Sequence, residues 1–249
     1  MFQSYWFILV LDDIYMNRLI ELLKQWNIDI DDNIVNKFNR YYDLLIEWNE
    51  KINLTAITEP EDVLIKHFLD SSALLKYIDL SGKSIIDVGT GAGFPGIVLK
   101  ILNPSCKITL LDSLNKRVLF LNEVITELGL KDIYSVHGRA EDFAHNSKYR
   151  ENYDIVTSRA VANLSTLSEY CIPFAKAGGF FVPYKSGSID EEIDEAKRAL
   201  SILNSSVTKV EKYSLPDTDY ERSLVFIHKD KSTTKQYPRK AGTPSKSPL

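Results

Sequence analysis

The sequence predicts an α/β fold: an open, mostly parallel sheet of seven strands, with an antiparallel hairpin at one edge and a helical cap at the N-terminus. From Ser84 onward, short β-rich runs alternate with helical stretches, the pattern of parallel strands joined by crossover helices. A glycine-rich turn, Gly89–Gly96, joins the first strand to its helix. Near the end, Val207–Ser214 and Ser223–His228 lie too close together for an intervening helix, which predicts the hairpin.

The elements of the sheet are predicted in chain order from these patterns. The parallel strands are Ser84–Val88, Lys107–Leu111, Ile133–His137, Tyr153–Thr157 and Gly179–Tyr184. The helices between and after them are Pro95–Leu102, Asn115–Leu128, Asn163–Phe174 and Ile189–Leu203.

The chain divides by composition into four stretches. Residues 1–15 are interpreted as a leader ahead of an alternative start at Met16, residues 16–80 as the helical cap, residues 81–230 as the sheet domain, and residues 231–249 as a basic tail. In the cap, apolar residues recur at spacings of three and four, the helical period. One predicted stripe contains Val35, Phe38, Tyr42, Leu45 and Ile46.

Bulk composition narrows the classes of function. The net charge of −4 gives no global basic field for nucleic acid, although residues 229–249 hold six Lys or Arg against one acid. Cys106 and Cys171 lie far apart without metal spacing, which predicts buried thiols, no metal site and a reducing cytoplasm. The apolar run Phe7–Leu11 is too short to span a bilayer.

The glycine-rich turn predicts a nucleotide-like cofactor. Glycines let backbone N–H groups and a helix N-terminus approach such a ligand closely. Gly89, Gly91 and Gly93, preceded by Asp87, fit S-adenosylmethionine enzymes, whereas Gly91, Gly93 and Gly96 fit the dinucleotide fingerprint. The edge hairpin favours the first interpretation, because it is characteristic of class I methyltransferases.

Ligands in open α/β sheets bind beyond the carboxyl ends of the strands, and four candidate groups lie there. Asp87 orients the glycine turn or reaches the ligand's amino group. Asp112 follows the second strand, where a carboxylate accepts hydrogen bonds from both ribose hydroxyls. The remaining candidates follow the third and fourth strands: Ala140, Glu141, Asp142 and Arg159. A helix cap or a surface ion pair is the alternative for each acid, and Asp142 fits it best.

Two polar residues of the cap, His67 and Asp70, stand in apolar surroundings at a spacing of three. Residues at this spacing share a helix face, so a hydrogen-bonded surface pair explains them structurally. They are also, with Arg159, the candidates for a catalytic role.

The motifs DVGTGAGFPG, LLDSLNKR, GRAED, YDIVTSRAVA and YPRKAGTPSKSPL, together with NLTAI and KHFLDS, resemble one family from Met16 to Leu249. It is the bacterial small-subunit (16S) ribosomal RNA guanine-N7 methyltransferase family, also called glucose-inhibited division protein B. The resemblance implies a Rossmann-like, class I S-adenosylmethionine-dependent methyltransferase fold and methylation of one guanine in the decoding region. It implies that the cofactor is bound at Gly89, Phe94, Asp112, Ala140, Glu141 and Arg159.

Guanine N7 has a free lone pair and takes no part in Watson–Crick pairing, so its methylation needs no prior loss of a proton. We therefore expect catalysis by in-line positioning without an essential general base. Basic residues predicted to contact the RNA lie after two strands and in the tail: Arg139, Lys185, Lys235, Arg239, Lys240 and Lys246. A disordered solubilising end is the alternative for the tail.

Two other functions stay open on the sequence alone, a nicotinamide-dependent oxidoreductase and a non-catalytic RNA-binding protein. The sequence leaves undecided whether the substrate is naked RNA or an assembled subunit, and a monomer in the cytoplasm is the expectation.

Overall fold

The computed structural model describes the backbone of residues 2–159 and 162–249, and the side chains of these residues from Ile14 onward. One mixed sheet forms its centre. The strands are β1 Ser84–Val88, β2 Lys107–Asp112, β3 Ile133–His137, β4 Tyr153–Ser158, β5 Ala175–Ser186, β6 Ser205–Ser214 and β7 Glu221–Lys229. They lie in the order β3-β2-β1-β4-β5-β7-β6.

Strands β1 to β5 are mutually parallel, whereas β7 runs antiparallel to β5 and β6 antiparallel to β7. This arrangement confirms the predicted mostly parallel sheet with an edge hairpin. The order of the strands reverses between β1 and β4, the topological switch point at which open α/β sheets bind their ligands.

Helices cover both faces of the sheet. They are α1 Phe2–Gln25, α2 Asp32–Ile52, α3 Pro60–Val63, α4 Asp70–Ser72, α5 Gly96–Leu102, α6 Asn115–Glu127, α7 Ala140–Phe143, α8 Leu164–Cys171, α9 Asp190–Ile202 and α10 Thr243–Lys246. Because side chains alternate along a strand, Ile85 of β1 packs into the core shared with α1, α2, α5 and α6. Its neighbour Ile86 packs into the core under α8 and α9. The cap thus shares one hydrophobic core with a face of the sheet.

Helix α2 links the cap to the glycine turn. The Asp31 carboxylate caps it by accepting a hydrogen bond from the Ile34 N–H at 2.8 Å. Its buried stripe contains Phe38, Tyr41, Leu44 and Leu45. Phe38 and Leu45 of the predicted stripe are buried, and Val35 and Tyr42 are partly buried against the same core. The stripe also includes Tyr41, whose buried hydroxyl donates to the carbonyl oxygen of Ala92.

The segment from Pro60 to Lys76 is not a regular α-helix. Between α3 and α4 the chain forms a π-helical turn, Leu64–Leu69, and after α4 a 3₁₀ turn, Ala73–Lys76. Such π-turns are rare and are frequent at functional sites. This turn carries His67 into the protein, where it is buried together with Asp70.

The predicted boundary between leader and cap falls inside α1, which continues without a break from Phe2 to Gln25. The side chains of Phe7–Leu11 lie outside the described part of the chain, as do residues 160 and 161 of the YDIVTSRAVA motif. Within the described residues, no helix combines the length and apolarity needed to cross a membrane.

Candidate active site

The glycine turn after β1 is held from below by a buried carboxylate. Asp87 is 0% exposed, and its Oδ2 accepts hydrogen bonds from the Thr90 hydroxyl at 2.6 Å and the Gly96 N–H at 2.9 Å. Burial raises the pKa of Asp87 from 3.8 to about 6, against the lowering effect of these donors. A Cβ on Gly96 would lie 2.3 Å from Leu110 Cδ2, so this glycine is required for helix packing.

A second carboxylate, Asp112 at the end of β2, holds the turn from the side. It is 2% exposed and accepts hydrogen bonds from two backbone N–H groups, those of Gly91 and Leu114, each at 2.9 Å. The Arg117 guanidinium lies 3.5 Å from its Oδ2. Asp112 therefore fixes the glycine turn relative to the loop after β2.

Beyond the carboxyl ends of β1, β2 and β3 lies a cavity of about 410 Å³, here called the glycine cavity. It is lined by Val88, Gly89, Leu111, Ser113, Leu114, Gly138, Arg139, Ala140, Glu141, Ala162, Leu167 and Tyr170. Gly89 has a φ of +70°, and a Cβ there would meet no atom within 4 Å. The turn thus presents bare backbone to the cavity, as a close-fitting ligand requires.

A larger cavity of about 970 Å³, here called the basic cavity, lies between the cap and the ends of β4, β5 and β7. Four cationic side chains line it: Lys66, Arg159, Lys185 and Arg222. The exposed ring of Tyr220 also lines it, with Lys66 Nζ 5.0 Å and Arg222 Cζ 5.1 Å from its centroid. Cations beside an exposed aromatic ring favour binding of phosphate and nucleobase.

Arg159 is fixed at the wall of the basic cavity by three acceptors from the cap. Its Nη1 donates to the Lys66 carbonyl oxygen at 2.9 Å and to Asp70 Oδ2 at 3.1 Å, and its Nη2 lies 3.1 Å from His67 Nδ1. Asp70 is 2% exposed, and its Oδ1 accepts from the Tyr213 hydroxyl at 2.9 Å. The acid is therefore a structural partner of the arginine.

The contacts of His67 define its protonation state. Because a guanidinium only donates, His67 Nδ1 is the acceptor in the contact with Arg159. The proton of the neutral ring then lies on Nε2, which is 2.9 Å from the Thr55 hydroxyl oxygen. Burial, and after it the charge of Arg159, lowers the pKa of His67 from 6.5 to about 3. Its one basic lone pair is engaged, so His67 is poorly suited to act as a general base.

Phe94 packs against the polar cluster of the basic cavity. It follows the glycine turn, and its ring stacks on His67 with centroids 4.5 Å apart. The Arg159 Cζ lies 5.1 Å from the same ring. The turn thus contributes Gly89 to the glycine cavity and, five residues later, packs against the polar cluster of the basic cavity.

A family model described as GidB, rRNA small subunit methyltransferase G, matches residues 34–225. The chain belongs to this family.

Relatives in the GidB family match nearly the whole chain. The ribosomal RNA small subunit methyltransferase G of Lachnoclostridium phytofermentans is 52% identical over 234 residues, 94% of this chain and 97% of its own. The protein of that name from Desulforamulus reducens is 51% identical over 239 residues, 94% of this chain and 100% of its own. The protein of that name from Staphylococcus aureus strain RF122 is 52% identical over 232 residues, which are 93% of this chain and 97% of its own.

Solved structures at low identity support the fold alone. Pyrococcus horikoshii TYW2 in complex with MeSAdo gives a TM-score of 0.52 at 13% identity, covering 66% of this chain and 63% of its own. A SAM dependent methyltransferase from Aquifex aeolicus gives a TM-score of 0.50 at 20% identity, covering 67% of this chain and 92% of its own. The class I methyltransferase fold expected from the sequence is confirmed.

The residues that the sequence and the GidB resemblance assign to the cofactor lie in different surroundings. Arg159 lines the basic cavity and Phe94 packs against its cluster, and their assignment to the cofactor stays a prediction. Asp87 is enclosed beneath the turn and acts by holding it. Gly89, Ala140 and Glu141 do line the glycine cavity.

The predicted RNA ligands also separate into free and engaged cations. Arg239 forms a double hydrogen bond with the buried Glu169. Lys185, 9% exposed at its side chain, pairs with Glu192 at 2.5 Å and donates to the Ala162 carbonyl oxygen. Both are engaged by protein groups in this structure, and their assignment to RNA phosphates stays a prediction. Arg139 is exposed at the rim of the glycine cavity, and the tail lysines are exposed as well: Lys235, Lys240 and Lys246.

Several contributors were missed by sequence reasoning. Tyr41 is the partner of the glycine turn, and Tyr213 is a partner of Asp70. Tyr220 and Arg222 reach the basic cavity from the hairpin. An aromatic or hydroxyl residue in an amphipathic helix or an edge strand carries no local mark of such a role, so no sequence signal singles these residues out.

We expect the neutral state of His67 to make stability pH-dependent. The unfolded chain binds a proton below about pH 6.5, whereas the folded protein resists it down to about pH 3, so the free energy of unfolding falls as pH is lowered through this window. Between about pH 7 and about pH 5 this group alone removes about 2 kcal/mol. Urea unfolding of the wild type and His67→Gln at both pH values measures the difference, because glutamine does not titrate. An NMR titration placing the His67 pKa near 6.5 would contradict the assignment.

Proposed function

We propose that this protein transfers a methyl group from S-adenosylmethionine to N7 of a guanine in 16S ribosomal RNA, acting as a monomer in the cytoplasm. The family and the names of its relatives support the reaction class. The single observation that carries the assignment is the pair of cavities. One is built on the glycine turn, and the other is lined by four cations and an exposed tyrosine.

The glycine cavity suits the cofactor. Its volume of about 410 Å³ falls in the range of about 300–1,000 Å³ typical of small-molecule sites. Gly89 and Gly91 have positive φ, and a Cβ added to either would meet no atom within 4 Å. A ligand can therefore lie close to the backbone at these two positions. The rim adds the Glu141 carboxylate and the backbone of Ala140. Bound there, S-adenosylmethionine supplies an electrophilic methyl group on a sulfonium.

We assign Gly89, Gly91, Ala140 and Glu141 to direct contact with the cofactor. We assign an indirect role to three further residues, which hold the glycine turn in the conformation that faces the cofactor: Asp87, Gly93 and Asp112. Gly93 is confined by packing, since a Cβ there would lie 2.5 Å from Ile97 Cδ1. Asp112 keeps the capacity to accept further hydrogen bonds, because a carboxylate has about four lone-pair sites.

The basic cavity is the proposed site of the target guanine. On its major-groove edge guanine offers two acceptors, O6 and N7. N7 must keep its lone pair free to attack carbon, so donors from the cavity suit O6 and not N7. Arg159, held in one orientation by Asp70 and His67, is the group we assign to this contact. Catalysis then depends on orientation, which is worth as much as about 7–11 kcal/mol in ideal cases.

The surrounding surface offers cations for the RNA backbone. Lys66 and Arg222 flank Tyr220 at the mouth of the basic cavity. Arg139 and the exposed tail lysines Lys235, Lys240 and Lys246 lie outside it. Because the major groove of A-form RNA is deep and narrow, a guanine in a loop or a distorted helix is the expected target.

A methyl transfer that requires no general base predicts a flat pH–rate profile. His67 is neutral with its Nδ1 engaged, and N7 needs no deprotonation. We expect the single-turnover rate constant for methyl transfer to vary by about threefold or less between about pH 7 and about pH 8.5. Rapid-quench measurements with saturating cofactor test this. A limb of unit slope within that interval would contradict it.

The function itself is tested by two measurements on the full chain. Calorimetric titration with S-adenosylhomocysteine and with NADH distinguishes the methyltransferase from the oxidoreductase, and we expect binding of the first only. Labelled S-adenosylmethionine is then incubated with undermethylated small subunits and with naked 16S RNA. Label at guanine N7 supports the proposal. Cofactor binding without transfer to either substrate would indicate a non-catalytic RNA-binding protein.

A further inference from the structure

The C-terminal segment, residues 231–249, is bound closely to the sheet domain. Arg150 donates to the carbonyl oxygens of Thr233 at 2.8 Å and Tyr237 at 2.9 Å. Farther along, His145 Nε2 lies 2.7 Å from the carbonyl oxygen of Pro238, a buried residue. These contacts follow the segment along its first half and contradict the alternative of a disordered solubilising end.

The central contact of the segment is a buried ion pair. Glu169 of α8 is 0% exposed. Its oxygens accept from the Arg239 backbone N–H at 2.7 Å, from Nε at 2.9 and 3.2 Å, and from Nη2 at 2.7 Å. Arg239 Nη2 also donates to the Ser247 carbonyl oxygen at 2.8 Å, closing the segment on itself. A buried carboxylate needs such a partner, so the position of α8 depends on the segment being in place.

The second half of the segment touches the wall of the glycine cavity. The Gly242 N–H donates to Glu141 Oε1 at 3.2 Å, and Glu141 lines that cavity. The Ser245 hydroxyl donates to the Gly242 carbonyl oxygen at 3.1 Å, within the same turn that binds Glu141. The Thr166 hydroxyl of α8 donates to the Pro244 carbonyl oxygen at 3.2 Å. The segment therefore joins α7 and α8, the two helices that carry this wall.

We infer that residues 237–247 position the wall of the cofactor site, with Arg239 as the anchor through Glu169. This rests on the proposed function, because it takes the glycine cavity as the cofactor site. Arg239 and Ser245 are positioning residues: Arg239 acts through Glu169 of α8, and Ser245 acts through Gly242, whose N–H binds Glu141. The adjacent Lys240 is exposed and stays available to RNA.

The test compares two neighbouring cations in the full chain. Arg239→Gln and Lys240→Gln make the same change of charge, one at the buried pair and one at the surface. We expect Arg239→Gln to raise the Kd for S-adenosylhomocysteine by about tenfold or more and to leave the Kd for undermethylated small subunits within about twofold. Lys240→Gln is expected to leave cofactor binding within about twofold. Hydrogen exchange of residues 140–144 and 164–171 should accelerate in Arg239→Gln only.

Two further variants exclude a merely structural effect. Leu19→Ala destabilises the protein from the buried face of α1, remote from this wall. If destabilisation alone weakened cofactor binding, Leu19→Ala would do so too, and that result would overturn the inference. Ser245→Ala removes one contact at an exposed position, so it remains informative if Arg239→Gln does not fold. It should raise the Kd by about twofold to fivefold.

The remaining outcomes are distinct. Failure of the wild type to bind S-adenosylhomocysteine would contradict the proposed function. Unchanged cofactor binding in a folded Arg239→Gln would contradict the inference and leave the proposed function standing. Loss of RNA binding alone in Arg239→Gln would also contradict the inference, because Arg239 would then be a phosphate ligand.

Discussion

Replacing Arg159 with lysine is expected to lower single-turnover methyl transfer by about 100-fold, a loss of about 2.7 kcal/mol of transition-state stabilisation. The Kd for S-adenosylhomocysteine should change by about threefold or less. The reason is geometric. The planar guanidinium reaches the Lys66 carbonyl oxygen, Asp70 and His67 at once, and an ammonium on a flexible stem does not reproduce that arrangement.

Lysine is chosen because it keeps the positive charge beside Asp70, so the buried carboxylate is not left without a counterion. Arg222→Lys is the matched control. Its guanidinium lies 3.7 Å from Asp70 at the mouth of the same cavity, and we expect a loss of about tenfold or less. Thermal unfolding of both variants verifies that they are folded. A parallel loss of cofactor affinity and rate in Arg159→Lys would return Arg159 to the cofactor site.

Replacing Asp112 with alanine is expected to raise the Kd for S-adenosylhomocysteine by about 100-fold, which corresponds to about 2.8 kcal/mol. The carboxylate accepts two charge-assisted hydrogen bonds, from the N–H groups of Gly91 and Leu114. Bonds to charged groups contribute about 1.5–3 kcal/mol each, and without them the turn loses the conformation that faces the ligand. Calorimetric titration gives the affinity directly.

Asp112→Asn should fall between the wild type and alanine, because the amide retains one acceptor oxygen. Asp142→Ala is the control: this carboxylate also follows a strand of the sheet, but its side chain is exposed. It should bind the cofactor within about twofold of the wild type. Equal losses in the two alanine variants would show that a general change of charge at this edge, and not support of the glycine turn, is responsible.

The sequence was sufficient for the parts of the site that are local along the chain. A strand, an acid and clustered glycines can be recognised within a dozen residues, because positive φ and close packing leave few alternatives to glycine. In the structure Gly89 lines the glycine cavity, whereas a Cβ on Gly96 would collide with Leu110. The parallel strands and the hairpin followed from hydrophobic period and spacing in the same way.

The sequence was not sufficient where distant residues meet. Arg159 contacts Asp70 across 89 residues, and Tyr213 contacts the same acid across 143. Arg239 stands in a basic stretch of sequence that resembles a surface RNA ligand. Its ion pair with Glu169 forms only because folding brings the C-terminal segment against α8.

The amino-acid sequence by itself thus determined the sheet, the glycine turn and the family, since these depend on local conformation and on ordered motifs. The tertiary structure alone decided how the functional groups are shared between the two cavities. It placed Arg159 in the basic cavity and brought Arg239 to the buried Glu169 of α8, the helix whose Leu167 and Tyr170 line the glycine cavity. The physical reason is that a buried charge is stable only beside its counterion, and which counterion is near depends on the packing of the whole chain.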